Sequence, residues 1–355
     1  MDRVERDVIK TTGGRPRRAA PTVRSAGYNA SSMRPLNAKR TAAVGLIIWL
    51  LILLKTTADS ASTELIHKIA LFGVLVVVPL GLSLVAPSDR NLSFWLYNVA
   101  VALQPIAAGL TVVSFLLDKG TTAAALACGW LIVNVVIALY GVTRLISRGG
   151  PYPLAELSVD AGLMYLPVAS VWLVIYRLGI QPFGYGEMII LLTVVHFHFA
   201  GFAAPIIAGM SGRVLALSDY PRRMYAFAIF GIIAAMPLVA AGITFTPLVG
   251  LIGTLLLSVA LVLLAVLTIG WVRPLVEQPG KRILLVCGAL SSCVAMVLAS
   301  LYAYSLATHT LILTIPTMAM THGILNAFGF VVCSLIAWAR IVPNELLSLH
   351  DPQIL

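Results

Sequence analysis

The sequence predicts an all-α, polytopic transmembrane bundle of about ten helices with both termini cytoplasmic. Three observations lead there. The chain is 59% hydrophobic and only 11% charged, with a mean hydropathy of +0.96, far outside the range of water-soluble domains. Its apolar runs repeatedly reach the roughly 20 residues that cross a hydrocarbon core about 30 Å thick. Its basic residues fall almost entirely into alternate loops, as the positive-inside rule requires.

The chain opens with residues 1–40, which hold ten Lys and Arg among Pro, Ser and Gly and little apolar surface, so a disordered basic cytoplasmic arm touching anionic lipid is expected. The first apolar run covers 41–60, its strongest stretch stopping at Leu54 before Lys55. Further spans are predicted at 66–86, 93–117, 121–143, 155–177, 187–209, 224–244, 248–270, 283–306 and 314–338. Each is read as a helix, because a single segment in hydrocarbon has to satisfy its own backbone N–H and C=O groups. The transmembrane domain is therefore placed at 41–340, its functional core at 155–338, and a short cytoplasmic tail at 341–355.

Ten spans with the N-terminus inside put 20 of the 24 Lys and Arg on the cytoplasmic side, leaving only Lys55, Lys68, Lys119 and Arg177 elsewhere. One span more or fewer would invert every later loop and destroy that bias. The net charge of +10 is thus a membrane-surface feature, and no nucleic-acid partner is expected. The apolar runs start too late, and continue through too many spans, for a cleaved secretory leader.

Walker loops, His-Glu-x-x-His, Gly-x-Ser-x-Gly and aspartate-rich prenyl-diphosphate motifs are all missing from the sequence. Gly149-Gly150 reads as a turn. Cys128, Cys287, Cys293 and Cys333 fall within spans without Cys-x-x-Cys spacing and are expected to pack structurally. Trp95, Trp130, Trp172, Trp271 and Trp338 are expected as interfacial or lipid-facing anchors.

Polar side chains inside the spans are few, which makes them the candidates for function. His196 and His198 lie in the sixth span, two residues apart. At about 100° per residue their rings point to nearly opposite sides, and a local unwinding near Gly201 would let both converge on one pocket. His198 shares its face with Gly201 and Pro205, which would allow close approach of a helix or ligand. In the tenth span His322 and Asn326 are one turn apart and can address one pocket together. Counting from the external helix ends puts all three histidines roughly 12–17 Å deep. Glu156 and Asp160 share a face of the fifth span. Glu156 is expected at the cytoplasmic interface, Glu187 at the external one, and Asp160 within the bilayer.

These residues predict a site with His198, His322, Asn326, Asp160 and His196 as reacting groups, lined by Tyr165, Phe199, Gly201, Phe202, Phe330 and Asn134. No cofactor is expected. A metal, if bound, would fall to His196, His198 and His322, although their spacing and the depth of Asp160 count against a tetrahedral site. Haem held by two histidines on different helices is an alternative. Buried His and Asn also serve as interhelical hydrogen-bond partners worth about 0.6–2 kcal/mol each.

The order His-Phe-His-Phe-Ala-Gly-Phe at 196–202, then Thr-His-Gly-Ile-Leu-Asn-Ala-Phe-Gly-Phe at 321–330, resembles the YndJ-like family of bacterial integral membrane proteins. The resemblance covers mainly spans five to ten. It implies a multi-pass fold in a bacterial cytoplasmic membrane and carries little biochemistry with it.

Two principal functions fit the residues. The first is an intramembrane enzyme acting on a lipophilic small molecule reached laterally from membrane lipids. Histidine, with an intrinsic pKa of about 6.5, suits proton transfer there. His198 and His322 would be acid and base, Asn326 would orient the substrate, and Asp160 would tune a histidine; isomerisation, cyclisation, epoxide opening or hydrolysis would follow. The second is a proton-coupled transporter built as inverted halves of five helices. Both histidine motifs lie in the second half, which suits a local pocket better than a symmetric pathway. A metal- or haem-binding protein, or a sensor or scaffold subunit, is a third class, and no oligomeric state is implied.

Overall fold

The computed structural model describes residues 38–55, 60–87 and 91–341, and all regular structure among them is helical. Ten helices follow one another: α1 (Ala38–Leu53), α2 (Ala61–Leu82), α3 (Leu92–Leu116), α4 (Thr121–Ser147), α5 (Leu154–Leu178), α6 (Glu187–Leu215), α7 (Arg222–Thr244), α8 (Pro247–Leu275), α9 (Pro279–Ala307) and α10 (Ile315–Ile341). Among the described residues nine, α2 to α10, are long and apolar enough to cross a membrane. The first differs from expectation: its 16 residues extend only about 24 Å at 1.5 Å per residue, short of the core. It begins at Ala38, so the predicted arm gives up its last residues to the helix. The remainder of the arm (1–37) and the tail (342–355) lie outside the described residues.

Helix ends are set by local chemistry. Ser60, Asn91 and Thr314 side chains accept from backbone N–H groups at the starts of α2, α3 and α10, satisfying donors that have no partner inside the helix. Pro247, Pro279 and Pro316 stand in first turns, where a missing N–H does no harm. Gly179 closes α5 in the left-handed region at φ 80°.

The helices pack in chain order as α3–α4–α5 and α7–α8–α9–α10, with α6 touching α2, α5, α7 and α10. Burial shows which helices are interior: 78% of the most apolar window of α2 and 67% of that of α6 is buried, against 33–56% for the other membrane-length helices. A site on α6 is therefore bordered by protein on most sides. The short α1 seats on α2, where Trp49 Nε1 donates to the Lys68 carbonyl at 2.7 Å and the Trp49 and Phe72 rings lie 4.7 Å apart.

A Cβ added at Gly45 of α1 would lie 2.0 Å from the Leu75 carbonyl oxygen of α2. That oxygen belongs to a helix backbone and has little room to move. Gly45→Val is expected to cost about 1–3 kcal/mol, read as a lower unfolding temperature in detergent. An unchanged temperature would show that α1 is not seated in this way.

Two of the five anchor tryptophans are corrected. Trp95 is 61% exposed, as an anchor should be, but Trp130 and Trp338 are fully buried. A helix apolar on every side does not mark which face meets lipid, so periodicity gives no guidance for these rings. The four cysteines are all unpaired.

Candidate functional site

The α-helical turn widens to a π-helical one at Phe197–Ala203 in α6 and at Ala319–Gly323 and Leu325–Val332 in α10. The two histidine motifs therefore both lie on or beside widened turns, a feature that recurs at functional sites. The widening at Gly201 was expected to bring His196 and His198 together. It does not: His198 is fully buried, whereas His196 is exposed.

His198 is held on both ring nitrogens. Its Nδ1–H donates to the Val194 carbonyl at 2.8 Å, and its Nε2 accepts from Trp130 Nε1–H at 3.1 Å. A carbonyl only accepts and an indole N–H only donates, so these two bonds define one neutral tautomer. The Trp130 ring stacks beside it, 6.0 Å between centroids and 20° between planes, and Gly73 of α2 closes the other side, where a Cβ would meet His198 Cβ at 3.1 Å. Neither nitrogen of His198, expected as acid or base, is open to a substrate in this arrangement.

His196 is arranged differently. Its Nδ1–H donates to Leu192 O at 2.7 Å, and no partner for Nε2 is found among the described residues, so one unengaged ring nitrogen stands on an accessible ring. The widened segments Phe197–Ala203 and Leu325–Val332 touch. His322 Nδ1–H donates to Ala295 O of α9 at 2.8 Å, and Asn326 Nδ2 stands 3.1 Å from His322 Nε2. Both side chains are partly open. The expected one-turn pairing of His322 with Asn326 is thus present.

Asp160 lies elsewhere. It accepts from Arg144 Nε at 2.7 Å and Arg148 NH2 at 2.5 Å and is wholly buried. Glu156 accepts from Arg144 and from Arg213, the latter at 2.6 Å. The Tyr140 hydroxyl donates to Val85 O and receives Arg144 NH1 at 3.3 Å, and Arg213 NH1 reaches Leu84 O at 3.3 Å. This five-charge network joins the ends of α4, α5 and α6 to the end of α2. Gly201 stands level with Tyr165, so Asp160 is about eight residues, or roughly 12 Å, along the axis from His198. Expected to tune a histidine, it is instead held by two guanidinium groups.

The lining residues also divide. Tyr165 donates to Ile233 O of α7 at 2.7 Å and packs edge-on to Phe197 in a small cluster with Ala169 and Met236, so its hydroxyl does not continue a path to the histidines. Gly201 receives that cluster: a Cβ there would meet Phe197 Cδ1 at 3.0 Å. Phe199 borders Gly73, and Phe202 fills the space over Gly81 of α2. Asn134 donates to Ser170 Oγ, while its own Oδ1 is without a partner among the described residues. Phe330 turns away to a second cavity lined by α6, α8, α9 and α10. Among the described residues no three His, Cys, Asp or Glu side chains gather as a metal-holding set, so His196, His198 and His322 are not brought together as ligands.

Sequence reasoning missed Trp130, Arg144, Arg148 and Arg213. The three arginines read as topology markers. The usable signal was the carboxylate pair itself, since Glu156 and Asp160 inside a span require cations.

A bundle with nine helices among the described residues long and apolar enough to cross a membrane defines an integral, multi-pass membrane protein. The YndJ-like protein family model matches residues 68–330, most of the chain, and the protein belongs to that family. The uncharacterized membrane protein YndJ of Bacillus subtilis (strain 168) is 28% identical over 285 residues, covering 79% of this chain and 50% of that protein. The chain thus spans about half the length of the curated relative it matches. Comparison with solved structures finds no match.

Proposed function

We propose that this YndJ-family chain performs intramembrane acid–base chemistry on a lipophilic molecule, with His196 as the proton-accepting group and the His322–Asn326 pair orienting the polar part of the substrate. The observation that carries the reading is the setting of His196: accessible, held through an Nδ1–H bond to the Leu192 carbonyl, and with Nε2 unengaged among the described residues. A positioned base of this kind contributes typically 10²–10⁴-fold to a proton transfer. Asn326 fixes His322 from one side and the Ala295 carbonyl fixes it from the other, a preorganised pair that supports substrate orientation.

The path toward the five-charge network supports a localised site over a relay. Phe202, Ala203 and Ile206 lie between and are buried and apolar.

The test is to reconstitute the full chain in vesicles made from the expressing cell's total lipid extract and to follow the lipid fraction by mass spectrometry and chromatography. Wild type is expected to convert one lipophilic species to a product altered in mass or isomeric form, with His196→Ala slowing conversion by about 10²-fold or more and His198→Ala acting through stability. Proton flux without any chemical product would replace this reading with carriage. Variants that only unfold at a lower temperature, with conversion intact, would make the histidines structural.

A further inference from the structure

A second cavity lies where α6, α8, α9 and α10 meet, lined among others by Ser211, Thr268, Ser292, Ser334, Phe330 and Trp338. It is small, with ≈ 10 Å³ of room for a water centre, about what one water requires. Its chemistry is specific. Trp338 is fully buried, and its Nε1–H has no partner among the described residues. A buried donor in that state costs about 1–3 kcal/mol. Ser211 Oγ donates to Ile207 O at 3.0 Å, Thr268 Oγ1 to Leu264 O at 2.8 Å and Ser292 Oγ to Ala289 O at 2.8 Å. Each of these three hydroxyls has thus used its proton on its own helix and keeps only lone pairs to offer.

The occupant must accept from an indole N–H and donate to hydroxyl oxygens. A cation meets the N–H with the wrong sign, and an anion meets lone pairs that repel it. Water does both and fits the volume. We propose that this cavity is a binding site for one ordered water molecule, which accepts from Trp338 and donates to two of the three hydroxyl oxygens.

Its location gives that water a use. Ser292 is about one turn along α9 from Ala295, whose carbonyl receives His322 Nδ1–H, and Phe330 is one turn past Asn326 on α10. The water places an exchangeable-proton carrier about one helical turn, on both α9 and α10, from groups of the His322–Asn326 pair and its Ala295 partner. The hydration site stands on the cavity alone; its service as a proton carrier rests on the acid–base reading proposed above.

The experiment is a density map of the full chain in lipid nanodiscs at a resolution that shows buried waters, for wild type, Thr268→Val and Ser292→Ala, with conversion assayed in the same vesicles as before. The expected result is a discrete peak about 3 Å from Trp338 Nε1 in wild type that is lost or displaced in the variants, both near-isosteric and so expected to fold. An empty cavity in a map that shows other buried waters, or a Trp338 N–H turned onto a protein carbonyl, overturns the site. Loss of the peak with conversion slowed supports the carrier role, and loss of the peak with conversion unchanged removes that role while the site stands. If wild type converts nothing, the acid–base reading and the carrier role fail together, and the density still decides the hydration site.

Discussion

Asp160→Ala is expected to lower stability by about 3 kcal/mol, the lower part of the range for breaking a buried ion pair. Asp160 is wholly buried and holds both Arg144 and Arg148, whose side chains are 13% and 19% exposed. Removing the carboxylate leaves Arg148 without its anion and Arg144 with Glu156 alone. The small remaining exposure lets water recover part of the loss, which is why the estimate sits low in the range. Thermal unfolding of the detergent-purified chain measures it. Adding Arg148→Met to Asp160→Ala should recover a part, because the unpaired cation goes too. A Tm for Asp160→Ala equal to wild type would mean the network carries no net stability.

Trp130→Ala is expected to have a comparable or larger effect, about 3–5 kcal/mol, from the cavity left by a fully buried indole. Trp130→Phe separates the two roles of the ring. It keeps most of the volume but leaves His198 Nε2 with no donor, so about 1–3 kcal/mol is expected from that unmet acceptor alone. Nitrogen NMR of the histidines adds a readout that packing does not move: in wild type His198 should be the Nδ1–H tautomer at neutral pH, and in Trp130→Phe its Nε2 resonance should shift. A Phe variant as stable as wild type with an unshifted resonance would remove the Trp130–His198 bond from the account.

The histidine motifs were legible because titratable groups in an apolar run are rare and stand out. Their sorting was not. Two residues of separation put His196 and His198 on different faces, and that geometry follows from the helix alone. Which face turned inward depended on where α2, α4 and α10 packed, information that no property of α6 contains. The same holds for the arginines. Arg144, Arg148 and Arg213 look like loop-end topology charges until α4, α5 and α6 are brought side by side. Asp160 lies in the early turns of α5, and its partners came from the basic helix ends and not from the histidines. Tyr165 illustrates the remaining case: placed near the histidine level, it is already committed to a carbonyl of α7.

By itself the sequence determined the class, the helix sequence from α2 onward and the family, since each depends on composition, run length and local motif order, all properties of neighbouring residues. It also determined that His322 and Asn326 would meet, one turn apart on one helix. Only the tertiary structure decided that His198 is locked by Trp130, that His196 is the accessible imidazole, that Asp160 belongs to an arginine network, and that Trp338 turns inward beside a small hydroxyl-lined cavity. The physical reason is common to all four. In a chain that is apolar on nearly every helix face, the hydrophobic pattern marks no inside and no outside. The orientation of each polar side chain is then decided by hydrogen bonds and close packing to helices distant in sequence.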